Sequence, residues 1–166
     1  MSGDAVPGWD PLPGDSPYWR RFEREFAFHP GTDPATWPAI REPVPSVTYD
    51  LSPEFRTGRL TDRLETAAIA AMVAALPEDA VLVALDWFHF GYRFRPHLFR
   101  TSPLATSRRA WPVPVTPNGD YGVFFTEDLA TGLFGHPWEQ TLCVFGPPLV
   151  DALDLDGLPV VRDHRS

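Results

Sequence analysis

Four places in the chain hold residues whose types and spacing can do chemistry. In Leu85-Asp86-Trp87-Phe88-His89 a carboxylate and an imidazole stand three residues apart. Such a pair can orient one another for proton transfer, or supply two ligands to a metal. The competing role is structural: an Asp at a strand end accepting turn amides, with His89 on the rim. In Gly132-Leu-Phe-Gly-His-Pro-Trp-Glu139, two glycines and a proline bracket His136, Trp138 and Glu139. His136 can serve as acid or base with Glu139 as its orienting partner. As a structural loop, the same segment would bury Trp138, bond His136 to a carbonyl and bond Glu139 to loop amides. His89, Arg93 and Arg95 can share a strand face and hold an anion; on a strand facing water they are ordinary solvated charge. Cys143, between Leu142 and Val144, reads as a small buried hydrophobe rather than a nucleophile. Phosphate-binding glycine loops, zinc-protease helices, paired Cys-x-x-Cys motifs and nucleophile elbows are absent from the sequence.

The elements that must position these groups follow from periodicity. Residues 1–15, rich in Pro, Gly and Asp, are expected to form a flexible arm, with one globular domain over 16–166. Ser16-Pro17 starts a short amphipathic helix over 17–27, in which Tyr18, Trp19, Phe22 and Phe26 recur at helical spacing. Five prolines between 30 and 45 exclude regular structure there. Alternation predicts a strand over 46–51. Thr61 is placed to cap a second helix that Pro77 ends, with Leu64, Ala68, Met72 and Leu76 on its apolar face. Residues 80–87 are almost continuously apolar and predict a central strand. A turn near Phe88–His89 then leads into a strand over 90–95. Residues 96–109 read as a loop. The Pro117-Asn118-Gly119 segment predicts a β-hairpin turn, with Gly119 at φ > 0, between strands 111–115 and 121–125. Strand 140–146, a short helix from 149 to 153 and an edge strand over 158–161 complete the reading. The sum is an α+β domain: a mostly antiparallel sheet of five to six strands packed against two main helices.

Composition narrows the function classes. The 166 residues carry a net charge of −8, which argues against clustered cations for nucleic acid and against an anionic membrane surface. Twenty prolines are more than double the usual share of about 5% and imply stiff loops. A single cysteine fits a reducing compartment. The first residues show neither a basic nor an apolar stretch, so no signal peptide and a cytoplasmic location are expected. All 14 cations are Arg, a bias of a GC-rich genome rather than a sign of anion recognition. No cofactor is expected, and no zinc, because a structural zinc site usually takes four Cys or His ligands.

The ordered set Trp37-Pro38, Glu42-Pro43, Leu85-Asp86-Trp87-x-His89, Pro117-Asn118-Gly119-Asp120-Tyr121, Gly135-His136-Pro137-Trp138-Glu139 and Cys143-Val144-Phe145-Gly146 resembles a bacterial family known only as a domain of unknown function. The resemblance runs from about Tyr18 to Leu153 and implies a stand-alone bacterial domain without implying an activity. Two functions are therefore carried forward. One is a small non-catalytic binding protein for a small molecule or a basic protein, such as an immunity-type antagonist of a toxin. The other is a small hydrolase-like enzyme using Asp86, His89, His136 and Glu139. An enzyme would need these clusters to converge on one cleft, whereas a binder needs neither convergence nor a pocket. Trp87, His89, His136 and Trp138 are expected at one end of the sheet, against the alternative that both tryptophans fill the core and the histidines point separately into solvent.

Overall fold

The fold is known from a computed structural model that describes residues 5–87 and 89–165. In chain order the strands are β1 (Trp9–Pro11), β2 (Ser46–Asp50), β3 (Leu82–Asp86), β4 (Gly91–Phe94), β5 (Gly122–Thr126), β6 (Gly132–His136), β7 (Thr141–Phe145) and β8 (Val160–Asp163). The helices are α1 (Tyr18–Phe26), α2 (Ser52–Phe55), α3 (Arg63–Ala75), α4 (Pro96–Phe99) and α5 (Pro147–Ala152). All eight strands form one sheet in the order β1-β4-β3-β5-β6-β7-β2-β8. Every pairing is antiparallel.

The antiparallel α+β class is as expected; the element count is not. The sheet has eight strands rather than five to six, and three short helices accompany α1 and α3. Strand alternation sends side chains to two cores, one on each face of the sheet. One face packs Leu82, Ala84, Phe124, Leu133, Leu142 and Val144 against Leu64, Ala68 and Met72 of α3. The other packs Val83, Leu85, Val123, Phe125, Phe134 and Phe145 against Phe22 and Phe26 of α1. Because both faces are covered, the central strands read as apolar runs rather than as alternating ones.

Several expectations need correction. The Asn118-Gly119 segment is not a hairpin turn. Gly119 does have φ +93°, but residues 111–121 form no strand. Both edges of β5 are already taken, by β3 and by β6, and Pro112, Pro114 and Pro117 remove donors a ladder would need. The alternation that suggested a strand is real: Trp111, Val113 and Val115 are buried. They press an open loop onto the α3 side of the sheet. Residues 96–109 are likewise not a plain loop. They hold α4 and two short 3₁₀ turns, with Phe99 fully buried and the Trp111 indole donating to the Ala105 carbonyl at 3.0 Å. Within the expected arm, Trp9–Pro11 pairs with β4, and Trp9 is buried with its ring stacked on Phe94 at 4.2 Å. Of the expected turn at Phe88–His89, Phe88 lies outside the described residues. The flanking bonds fit a tight β3–β4 connection, with His89 N–H donating to Asp86 O at 3.0 Å.

One buried polar contact anchors the 111–121 loop. Glu65 on α3 is fully buried. It accepts from the Thr116 amide at 3.1 Å and the Thr116 hydroxyl at 3.0 Å. Burial pushes its carboxyl above the ordinary value, against the pull of the Thr116 bonds and of Arg108. Glu65→Ala strands two buried donors and opens a void. It should cost roughly 2–4 kcal/mol in urea denaturation, and Thr116→Val, which loses one bond only, should cost about half as much.

Candidate functional site

The ladder of the central strands sets one rim of the sheet. Asp86 is opposite Gly122, Gly122 opposite Gly135, and His136 opposite Thr141. The end of β3, the start of β5, the end of β6 and the start of β7 are therefore level. Adjacent strands lie about 4.8 Å apart, so side chains leaving these positions meet.

They meet on Tyr121, the residue just before β5. Its ring centroid lies 5.1 Å from Trp87, 4.9 Å from His136 and 5.2 Å from Trp138, all edge-on. Its hydroxyl accepts the Gly31 N–H at 2.9 Å, which draws the loop after α1 over the rim. From that loop, Trp37 places its ring 5.3 Å from His136 and donates its indole N–H to Gly31 O at 3.0 Å. Tyr121 is fully buried while Trp138 is 40% exposed. Trp87, His136 and Trp138 thus share one aromatic cluster.

His136 is 1% exposed, and its Nδ1 accepts the Glu139 backbone N–H at 3.1 Å. The proton of the neutral ring therefore sits on Nε2. That nitrogen is buried and has no hydrogen-bond acceptor among the described residues. Burial pushes the imidazole down to about 4, with Glu139 opposing and Arg162 and His29 adding to the fall. The Glu139 carboxylate does not orient His136. It accepts from Thr141 Oγ1 at 2.7 Å and from both ends of the Arg162 fork, at 2.6 and 3.0 Å. Burial works against its charge, but these bonds outweigh it and hold the carboxyl below its ordinary value. Arg162 also donates from Nε to Glu42 at 2.8 Å, and Glu42 takes the Thr48 hydroxyl and His164 as well.

A second cluster adjoins the first through the Asp120-Tyr121 dipeptide. His89 Nδ1 lies 3.4 Å from Asp86 and 3.3 Å from Asp120. One ligand atom from each of the three residues lies within 4.8 Å of the others. One nitrogen and two carboxylate oxygens form a donor set that suits a divalent cation. Burial raises the Asp86 pKa; His89 opposes that shift and Asp120 adds to it.

Arg93 and Arg95 do not form a shared anion site with His89. Arg93 donates to the Tyr18 hydroxyl at 3.3 Å, and Arg95 pairs with Asp10 at 3.3 Å. Cys143 is buried and its thiol is pushed up to about 12 by desolvation first. Tyr121, Asp120 and Trp37 are the members that residue chemistry did not single out. A phenol and an indole carry no catalytic signal of their own, and Asp120 stands 31 residues from His89 in sequence.

Comparisons with known proteins agree with this reading of kinship. No solved structure matches the chain. Over 100 residues, 60% of its length, it is 44% identical to the Uncharacterized protein YxiI of Bacillus subtilis (strain 168), and the match spans 59% of that relative. Residues 13–150, which contain every residue of the two rim clusters except Arg162 and His164 of the supporting network, match a family described as "Protein of unknown function (DUF2716)". The chain, with its Asp120-Tyr121 rim, is therefore a member of that family.

Proposed function

We propose that this is a small, cytoplasmic, non-catalytic binding protein whose ligand seats on the aromatic rim around Tyr121. The observation that carries the reading is the His136 Nε2–H donor, buried without an acceptor, beside the 40% exposed ring of Trp138. An unmade bond on a buried donor costs roughly 1–3 kcal/mol. A flat apolar ligand that carries one acceptor would stack on Trp138 and, with a shift of the Trp37 and Tyr121 rings packed on His136, accept from its Nε2–H. Aromatic walls with few polar groups are the usual build of a small-ligand site.

The chemistry of the rim supports binding over catalysis. In a neutral imidazole with Nε2 protonated, the one basic lone pair is on Nδ1, and the Glu139 N–H engages it. Glu139 is held in an ion pair with Arg162, and Cys143 stays a thiol. An antagonist of a basic protein rests on the net charge of −8 alone. The same charge supports the absence of nucleic-acid and membrane partners, and no helix among the described residues is long and apolar enough to cross a membrane. A second reading, a metal-assisted hydrolase-like enzyme, is favoured by one specific observation: the converging ligand atoms of Asp86, His89 and Asp120.

Three outcomes test these readings. In a thermal-shift screen of small aromatic metabolites, compounds that raise Tm should bind Trp138→Ala at least ten-fold more weakly, about 1.4 kcal/mol. The variant itself should fold normally, and hits indifferent to Trp138 would sink the rim site. The second outcome follows from His136. Its folded pKa of about 4 lies below the ordinary 6.5, so the unfolded chain binds the proton more readily between those values. Stability should therefore be fully present above pH 6.5 and fall as pH drops toward 4, by up to about 3 kcal/mol. His136→Phe should flatten that slope relative to wild type in urea titrations; equal slopes would contradict the buried neutral imidazole. The third outcome concerns the hydrolase-like reading. It requires Mn²⁺ or Zn²⁺ to raise the Tm of the wild type and not of Asp86→Asn/Asp120→Asn, and it fails if neither ion shifts the wild type.

A further inference from the structure

Two sets among the fourteen arginines of this chain contrast. Arg21, Arg63, Arg95, Arg162 and Arg165 each pair with a carboxylate. Arg59, Arg108 and Arg109 form no ion pair among the described residues, yet they line one cleft together with Asn118. The cleft holds about 560 Å³, within the range of about 300–1,000 Å³ usual for small-ligand sites. Its walls come from three distant segments: the link between α2 and α3, the turn at Arg108–Ala110, and the tip of the 111–121 loop.

Three arginines lining one cleft make its surroundings cationic, and a counter-charge would relieve their mutual repulsion. Two carboxylates close to Arg108 accept other donors. Asp62 accepts the backbone N–H of Arg108 at 2.7 Å. Glu65 feels the charge of Arg108, but its oxygens take the two bonds from Thr116. Within Arg108, Nε is buried with no acceptor among the described residues, so it is the terminal nitrogens of its fork that could meet a ligand. An Arg fork matches the oxygens of a phosphate two at a time, with charge-assisted bonds stronger than neutral ones.

We propose that this cleft binds the phosphate group of a small phosphorylated molecule, with Arg108 and Arg109 as the principal donors, Arg59 closing the open side and the Asn118 amide completing the cradle. The net charge of −8 repels an extended polyanion and favours a compact one. The site is separate from the Tyr121 rim; the Asn118 loop stands between this cleft and a smaller one lined by Asp86 and Asp120.

The test uses inorganic pyrophosphate as probe, in calorimetry at low salt on the full chain. Saturable binding is expected, weakened at least ten-fold in Arg109→Gln and in Arg108→Gln. Amide shifts in NMR titrations should cluster at residues 58–60, 107–110 and 118. Arg108 lies beside Glu65, so the more exposed Arg109→Gln and Arg59→Gln keep the test valid if Arg108→Gln unfolds. Arg20→Gln, on α1, changes the charge equally and should leave binding unchanged. Absence of saturable binding, equal weakening by Arg20→Gln, or citrate binding more tightly than pyrophosphate would each overturn the proposal.

Discussion

The hydrogen-bonded ladder through β3, β5, β6 and β7 fixes Asp86 opposite Gly122 and Gly122 opposite Gly135. A slip of one residue in any of these pairings would turn the side chains of that strand to the other face. Phe134 and Phe125 would leave the α1 core, and His136 would leave the aromatic rim. The register is enforced by burial on both faces and by close packing at β6. A Cβ at Gly132 would collide with the Phe124 carbonyl oxygen and sit 2.8 Å from the Phe145 ring. Only glycine lets β6 lie against its neighbours there, and that approach carries Gly135 and His136 to the rim.

A second constraint is electrostatic. Arg162, on the edge strand β8, reaches across β2 to bind Glu42 and Glu139 at once. Breaking one partner of a buried pair leaves an uncompensated charge, which is far costlier than lacking the pair altogether. The network therefore clamps β8 onto the sheet, and it also fixes the chemistry of the rim. With Glu139 committed to Arg162, His136 is left to its own burial and stays neutral.

Much of the scaffold was legible in the sequence, because its signals are local. Tyr18, Phe22 and Phe26 mark α1 by their spacing. The apolar run before Asp86 marks β3, and Thr141–Phe145 stands out by its hydrophobicity. What escaped was set by distant partners. Strand β6 was hidden by its glycines, which suit a loop until Phe124 and Phe145 are seen pressing on Gly132. The loop through Trp111, Val113 and Val115 has the alternation of a strand, and nothing local reveals that β5 has no free edge. Trp9 sits in a Pro- and Gly-rich stretch, and its burial depends on Phe94 and Phe99 far along the chain. At the site, pairing His136 with Glu139 was a reasonable inference from adjacency. It failed because Arg162, 23 residues beyond Glu139, competes with a full charge.

The position of β2 has a consequence for how the chain is made. Ser46 pairs with Phe145, and Asp50 with Thr141, while the other edge of β2 takes Val160–Asp163. As the polypeptide leaves the ribosome, β2 finds neither neighbour until residues 141–145 and 160–163 have followed it. Strands β3 to β7 can form their ladder in order of appearance, each beside a strand already present. During that interval β2 is a strand-forming segment with two open edges, and unpaired strand edges are where nascent chains associate wrongly. The five prolines immediately before it, between residues 30 and 45, cannot extend it into a longer pairing surface. They keep the waiting segment short.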